Sequence, residues 1–213
     1  MKRAFRCFVI VASLLATSVC HAQFGVPWRH VPKVVVVGAE GDARRPLVDE
    51  AVSFWNTTLE EIGSGFRLPP AVHMVHAVPE QAVQTLSGSV VGGSRGPVVV
   101  PSELRELPGE LTIVLGETDF ISFASPFFDG GSRRIVAIRS MNLVPMSFPN
   151  VARNVVIHEL GHAIGLGHNS DPSRLMCGRP AACRPSLFRS DEPRVFPLTD
   201  DEKRQLLAMY PAR

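Results

Sequence analysis

The first part of the chain alternates between runs of hydrophobic residues and polar or glycine-rich breaks. Residues 33–38 contain four consecutive valines and stop at a glycine, a pattern typical of a buried β-strand. Between residues 44 and 62, hydrophobic side chains recur at the spacing of one helix face. They are Leu47, Ala51, Trp55, Leu59 and Ile62, and glycines at 63 and 65 end the pattern. A strand followed by a helix is therefore predicted here.

Four further hydrophobic runs predict the remaining strands of a five-stranded sheet. They lie at residues 71–78, 111–115, 120–124 and 134–139. The run at 120–124 ends just before Pro126, as expected for an edge strand, because proline cannot donate to a strand ladder. Residues 87–102 are rich in glycine, serine and proline, and no element is predicted there.

The last third of the chain predicts two helices separated by an irregular segment. The first helix is predicted to begin near Asn150, a favourable N-cap residue after Pro149. Residues 169–197 contain five prolines and no periodicity. A closing helix should follow the capping-box spacing of Thr199 and Glu202 and carry Leu206, Leu207 and Met209. The pattern indicates an α+β fold, in which a mixed lobe of about residues 23–165 meets a mostly irregular lobe of about 166–213.

The N-terminal 22 residues have the features of a secretory signal peptide. A basic start precedes an apolar run at residues 7–15, and small residues end at Ala22. The run is too short for a membrane-spanning helix, which needs about 20 apolar residues, so a retained anchor is the weaker alternative. A lipoprotein anchored through Cys20 is a second alternative, disfavoured by Val19 at the preceding position. We expect an exported protein, secreted or periplasmic, with a mature domain at residues 23–213.

Removal of this signal reverses the sign of the net charge. The chain has 22 basic and 20 acidic residues, a net charge of +2. Three of the basic residues, Lys2, Arg3 and Arg6, lie in the signal, so the mature domain has 19 basic against 20 acidic residues, or −1. No basic run is interleaved with aromatic residues either, and a nucleic-acid partner is excluded on both grounds.

Only two of the four cysteines remain after the signal is removed. Cys177 and Cys183 are six positions apart in a proline-rich stretch of an exported chain. A local disulfide is the expected outcome in an oxidising compartment. A pair of metal-binding thiolates is the alternative, although the usual C-x-x-C spacing is missing.

The strongest chemical signal is a set of histidines on the predicted second helix. His158 and His162 are four residues apart, so both imidazoles lie on one helix face and can reach a single metal ion. Glu159 lies about 100° round the helix, where it can reach a water on the metal without binding the metal itself. Gly165 can leave the helix with a positive φ and bring His168 back as a third nitrogen ligand. Three histidines leave one zinc position open, which is typical of catalytic sites.

The complete pattern, H-E-x-x-H-x-x-G-x-x-H over residues 158–168, resembles that of the metzincin zinc metalloproteases. Leu175-Met176 resembles the methionine turn of the matrixin branch of that family. The resemblance covers most of residues 24–211 and implies a metzincin fold, with one catalytic zinc held by the three histidines and Glu159 as catalytic residue. It leaves structural calcium open. It also implies that an extended substrate pairs with the edge strand formed by Phe120, Ile121, Ser122, Phe123 and Ala124, and that residues 180–197 form the specificity loop.

The chain also departs from the matrixin pattern. Asn169 stands where a serine is common, and Cys177 where a tyrosine is common. We identify no cysteine-switch pro-segment and no ligand set for a second zinc. His73 and His76 are three apart on a predicted strand, so they face opposite sides and are interpreted as structural.

These observations predict a secreted zinc-dependent endopeptidase that hydrolyses peptide bonds by a glutamate-assisted attack of water. Its expected partner is a protein or peptide substrate, and we expect a monomer without stable membrane insertion. A zinc-containing module that binds peptides without cleaving them is one alternative. A zinc hydrolase acting on a non-protein amide is the other.

Overall fold

A five-stranded mixed sheet forms the centre of the protein in the computed structural model, which describes residues 25–92, 98–178 and 192–212. The strand order is β2-β1-β3-β5-β4. Strands β2, β1, β3 and β5 run parallel, and β4 is antiparallel to β5 at the edge. The strands are β1 (Val34–Gly38), β2 (Val72–Val75), β3 (Leu111–Leu115), β4 (Phe123–Ala124) and β5 (Arg134–Ile138).

Helices cover both faces of this sheet. They are α1 (Arg45–Glu61), α2 (Glu80–Val91), α3 (Ser102–Arg105), α4 (Pro149–Ala163) and α5 (Asp200–Met209). In β1, Val34 and Val36 pack in the core shared with α1 and α4, whereas Val35 and Val37 pack in the core shared with α2 and α3. Successive side chains of a strand point to opposite faces, which explains why an uninterrupted valine run is buried throughout. The α+β class predicted from the sequence is confirmed.

The structure corrects three sequence predictions about individual elements. The unassigned stretch at 87–102 overlaps the end of α2, a helix whose first half buries Ala82, Val83 and Leu86 against the sheet. The second strand is shorter than the predicted 71–78, and its four side chains are exposed. The predicted edge strand at 120–124 is a strand only at Phe123–Ala124, although it does lie at the sheet edge.

Asn150 is not the N-cap of α4, which begins at Pro149 with Phe148 at the capping position. The proline supplies a preset φ at the first position of the helix and needs no hydrogen-bonded N–H there. The capping box of the closing helix is confirmed. The side chain of Thr199 accepts from the backbone of Glu202, and the Glu202 side chain accepts from the backbone of Thr199.

Several sequence predictions concern residues that the structure does not describe. The signal peptide at residues 1–22, Cys20 and most of the predicted specificity loop at 180–197 lie outside the described ranges. Within those ranges no helix is long and apolar enough to cross a bilayer. The boundary between two lobes near residue 165 stays a prediction.

Candidate metal centre

Helix α4 carries two of the three predicted metal ligands and is fixed against α1 by a buried tryptophan. Trp55 of α1 is fully buried, and its indole Nε1 donates to the carbonyl oxygen of Ile157 over 2.9 Å. Ile157 immediately precedes His158, so this bond fixes the helix backbone at the start of the histidine motif. His158, Glu159 and His162 are all buried.

The end of α4 turns the chain so that the third histidine returns toward the first two. Gly165 has φ = 112°, a conformation that residues with a side chain rarely adopt. The amide of Gly165 donates to the His162 carbonyl and that of Leu166 to the Gly161 carbonyl, both over 3.0 Å. These two bonds form a Schellman motif, which satisfies the last carbonyl groups of the helix. The predicted role of Gly165 is therefore confirmed in its backbone geometry.

The imidazole nitrogens of His158, His162 and His168 converge on one point. The Nε2 atom of His168 lies 3.3 Å from that of His158 and 2.9 Å from that of His162. One ligand atom from each of the three side chains lies within 4.8 Å of the others. Ligand nitrogens about 2.0–2.1 Å from a tetrahedral zinc ion would be about 3.4 Å apart, so the cluster is slightly tighter than a loaded site.

Backbone carbonyls determine which nitrogen of the two helical histidines faces this point. Nδ1 of His158 donates to the Leu175 carbonyl over 2.8 Å, and Nδ1 of His162 donates to the Leu166 carbonyl over 2.7 Å. A neutral imidazole that is protonated on Nδ1 has a lone pair on Nε2. Two lone pairs directed at a common point repel unless a cation lies between them. The donor set therefore fits a zinc ion, which prefers neutral imidazole ligands.

Burial favours the neutral form of two of the three rings, those of His162 and His168. It lowers the pKa of His162 well below its usual range, and the neighbouring His158 and His168 lower it further through their charge. Burial also lowers the pKa of His168. Since a protonated imidazole cannot bind a metal, both shifts favour the metal-binding form near neutral pH.

Glu159 is a buried carboxyl group beside the histidine cluster. Burial raises its pKa to about 8, while a hydrogen bond donated by the backbone amide of Ala124 acts in the opposite direction. Ala124 belongs to the edge strand β4. The structure thus brings the predicted catalytic carboxyl group and the predicted substrate-binding strand into direct contact.

Met176, the predicted methionine-turn residue, packs against Gly161 of α4. Its side chain is fully buried in the core that contains Trp55 and Leu160. The Met176 carbonyl accepts from the amide of Asn169, the residue that follows His168. The segment that contains Met176 is therefore linked both to the third histidine and, through Leu175, to the first.

Three residues from other parts of the chain hydrogen-bond to the end of α4, and the sequence did not identify this role. Arg134 is buried and donates through Nη1 to the carbonyls of His162 and Ala163, over 2.7 and 2.8 Å. Trp28 Nε1 donates to the Ala163 carbonyl, and the Tyr210 hydroxyl donates to that of Ile164, each over 2.9 Å. They lie at distant positions in the chain, so no local pattern indicates them.

The remaining predicted site residues are placed as follows. Phe123 and Ala124 form the edge strand, while Phe120, Ile121 and Ser122 precede it without strand structure. Cys177 is buried without a disulfide among the described residues. Cys183 lies outside them, so the disulfide stays a prediction. His73 contacts the exposed carboxylate of Asp49 over 2.8 Å and is not part of the histidine cluster.

Comparison with known proteins agrees with the histidine motif. Residues 144–210, about a third of the chain, match the family model of matrixin, Peptidase M10. No curated protein sequence matches. Among solved structures, archaemetzincin from Methanopyrus kandleri matches with a TM-score of 0.47 and 18% identity over 84% of this chain and 95% of that one. The segment that carries the three histidines and Met176 is similar to matrixin, as the sequence resemblance predicts, and this similarity supports a zinc metallopeptidase.

Proposed function

We propose that this protein is an exported zinc-dependent endopeptidase in which Glu159 assists the attack of water on a peptide bond. The observation that carries the proposal is the convergence of three histidine nitrogens within 4.8 Å, with the buried carboxyl group of Glu159 next to His158 in the same helix. A structural zinc site usually has four protein ligands, whereas three ligands beside a carboxyl group are typical of a hydrolytic site.

His158, His162 and His168 would hold the metal through Nε2. When bound there, zinc lowers the pKa of a water molecule toward about 7 and polarises the carbonyl of the scissile bond. Glu159 would accept the proton from the attacking water and deliver it to the leaving amine. Glu159 follows His158 in α4, and this position lets its carboxyl group reach that water.

The edge strand supports a role in holding the substrate. Ser125 directly follows β4, and its backbone amide donates to the Ile135 carbonyl of β5 over 2.7 Å. This amide therefore faces the sheet. Neighbouring residues of a strand direct their amides to opposite sides, and the amide of Ala124 faces Glu159 instead. An extended peptide at this edge would lie beside Glu159, and it would bind through main-chain hydrogen bonds that require no particular sequence.

A peptide library tests this proposal. We expect the purified exported chain to cleave a randomised library, to lose cleavage on addition of a chelator and to regain it when zinc is restored. Zinc binding without cleavage of any peptide would contradict the endopeptidase assignment and favour a peptide-binding module. Cleavage that persists in chelator would contradict the zinc mechanism. A parallel panel of non-protein amides tests the second alternative, a zinc hydrolase that acts on a non-protein amide.

The location of the protein needs a separate test. The proposal that residues 1–22 direct export predicts that the mature chain begins at Gln23. N-terminal sequencing of protein recovered from outside the cytoplasm checks this start. A recovered chain that retains residues 1–22 would contradict it.

A further inference from the structure

Helix α4 carries two buried asparagines in the same i, i+4 row as the metal-binding histidines. Asn150 and Asn154 are 1% and 4% exposed, which is unusual for amide side chains. They precede His158 and His162 at regular steps of four residues, so all four side chains form one stripe along the helix. A buried amide needs hydrogen-bond partners, and both asparagines find them in the same segment of chain.

That segment is residues 192–198, which we term the strap. Asn150 Nδ2 donates to the Glu192 carbonyl over 2.6 Å, and Asn150 Oδ1 accepts from the Arg194 amide over 3.0 Å. Asn154 repeats the arrangement two residues later: Nδ2 donates to the Arg194 carbonyl over 2.7 Å, and Oδ1 accepts from the Phe196 amide over 2.9 Å.

The two side-chain amides take the place of a neighbouring strand. An asparagine amide offers one acceptor and two donors in a plane, much as a peptide group does. Alternate residues of the strap, 192, 194 and 196, direct their main-chain groups to α4 as they would to a strand partner. The strap is thereby aligned along the helix without belonging to the sheet.

The opposite side of the strap is connected to the metal centre. The Pro197 carbonyl accepts from the Leu175 amide over 3.0 Å, and the Leu175 carbonyl accepts from Nδ1 of His158 over 2.8 Å. Leu175 also precedes Met176. A continuous path of hydrogen bonds and main chain therefore runs from Asn154, through the strap and Leu175, to the first metal-binding histidine.

We propose that Asn154 is a positioning residue for the metal centre: it sets the orientation of the His158 ring through the strap and Leu175. Asn150 supports it by holding the start of the strap at residues 192 and 194. This inference rests on the proposed zinc-binding function. A metal-binding histidine needs a partner for its other nitrogen, and that partner orients the ring. Here the partner is the Leu175 carbonyl, and the strap bound by Asn154 restrains Leu175.

The chain provides a matched control for the loss of such an amide. Asn56 on α1 makes the same kind of paired contact: Nδ2 donates to the Leu68 carbonyl over 2.9 Å, and Oδ1 accepts from the Leu68 amide over 2.8 Å. Its amide bonds no residue of the strap or the histidine cluster among the described residues. Asn56→Leu therefore removes two amide-to-backbone bonds without breaking the path to His158. Asn154→Leu removes its two bonds to the strap and a third, which Nδ2 donates to the Asn150 carbonyl over 2.8 Å.

The test compares the metal centres of the parent chain, Asn154→Leu and Asn56→Leu. We expect zinc to dissociate about 10-fold faster from Asn154→Leu than from the parent, the lower end of effects from residues behind a metal ligand. The visible absorption bands of the cobalt-substituted protein, which report ligand geometry, should shift in the same variant. Asn56→Leu should keep the parent spectrum and a zinc dissociation rate within about twofold of the parent.

The outcomes separate this inference from the proposed function. A parent chain that binds no zinc overturns the proposed function, and this inference with it. A parent chain that binds zinc, with Asn154→Leu releasing it no faster than Asn56→Leu and with an unchanged cobalt spectrum, overturns only the positioning role. Should Asn154→Leu fail to fold, Asn150→Leu is measured instead, since it removes the bonds of Asn150 to the strap and keeps those of Asn154. Faster zinc release from that variant than from Asn56→Leu supports the role, and equal release contradicts it.

Discussion

Gly161 of α4 lies directly against Met176, with no space between them for a side chain. A Cβ atom at Gly161 would lie 2.7 Å from the sulfur of Met176 and 2.7 Å from Cζ2 of Trp55. Glycine within a helix is unfavourable by about 1 kcal/mol relative to alanine. The close approach of the methionine segment to the metal-binding helix explains why glycine is needed here.

We predict that Gly161→Ala destabilises the protein although alanine is the better helix former. The added methyl group must displace a rigid indole and a buried thioether, which we expect to cost about 1–3 kcal/mol. The measurement is the free energy of unfolding in urea.

Gly88 provides the control, since it lies in α2, where an added Cβ atom would meet no neighbouring side chain within 4 Å. Gly88→Ala should stabilise the protein by about 0.5–1 kcal/mol through helix propensity alone. Equal effects of the two substitutions would contradict the packing account.

Tyr210 is the only tyrosine of the chain, and it connects the closing helix to the end of α4. Its hydroxyl donates to the Ile164 carbonyl over 2.9 Å and accepts from the Trp28 amide over 3.1 Å. Burial raises its pKa from 10.0 to about 12, although the Trp28 amide and the charge of Arg134 oppose the shift. The ionised form is therefore disfavoured in the folded protein.

We predict a loss of stability between pH 10 and 12 that depends on this residue. A group whose pKa is raised by folding contributes stability below its unfolded pKa, and that contribution disappears as the pH rises through the folded value. A shift of this size corresponds to about 2–3 kcal/mol at 1.36 kcal/mol per unit. Absorbance at 295 nm follows tyrosinate formation directly, because no other tyrosine contributes. A folded-state midpoint near 10 would contradict the prediction, and Tyr210→Phe should flatten the alkaline stability profile.

Zinc should stabilise the folded chain through the three histidines. Ligand that binds only the folded state at 1,000 times its dissociation constant adds about 4 kcal/mol to the free energy of unfolding. We predict that added zinc raises the melting temperature of the chelator-treated parent and not that of His168→Ala. His73→Ala, which removes an exposed histidine outside the cluster, should respond as the parent does. An equal response of all three proteins would contradict the assignment of the site.

The local patterns of the sequence were sufficient to predict which histidines converge and most of the sheet. The spacing of His158 and His162 fixes both side chains on one helix face, and Gly165 marks the turn to His168, so these predictions depend only on helix geometry. The valine run of β1 likewise requires burial on both faces. Each of these features is encoded within a few consecutive residues.

Features that depend on contacts between distant segments could not be predicted in this way. Asparagine is a favourable N-cap residue, but the side-chain amide of Asn150 forms hydrogen bonds with the strap, about 40 residues later in the chain. Helix α2 ends in a stretch rich in glycine and serine, and burial of Ala82, Val83 and Leu86 outweighs that weak propensity. Arg134 donates to the carbonyls of His162 and Ala163, 28 and 29 residues later, so no local pattern marks its role at the end of α4.

The most direct test of the central claim is the activity of Glu159→Gln measured together with its zinc content. The amide is nearly isosteric with the carboxyl group but cannot accept the proton from water. We predict that this variant binds as much zinc as the parent and that its peptide hydrolysis falls by about 100- to 10,000-fold. Glu61→Gln, which changes an exposed carboxylate at the end of α1, should retain both properties. Undiminished hydrolysis by Glu159→Gln with zinc bound would contradict the account.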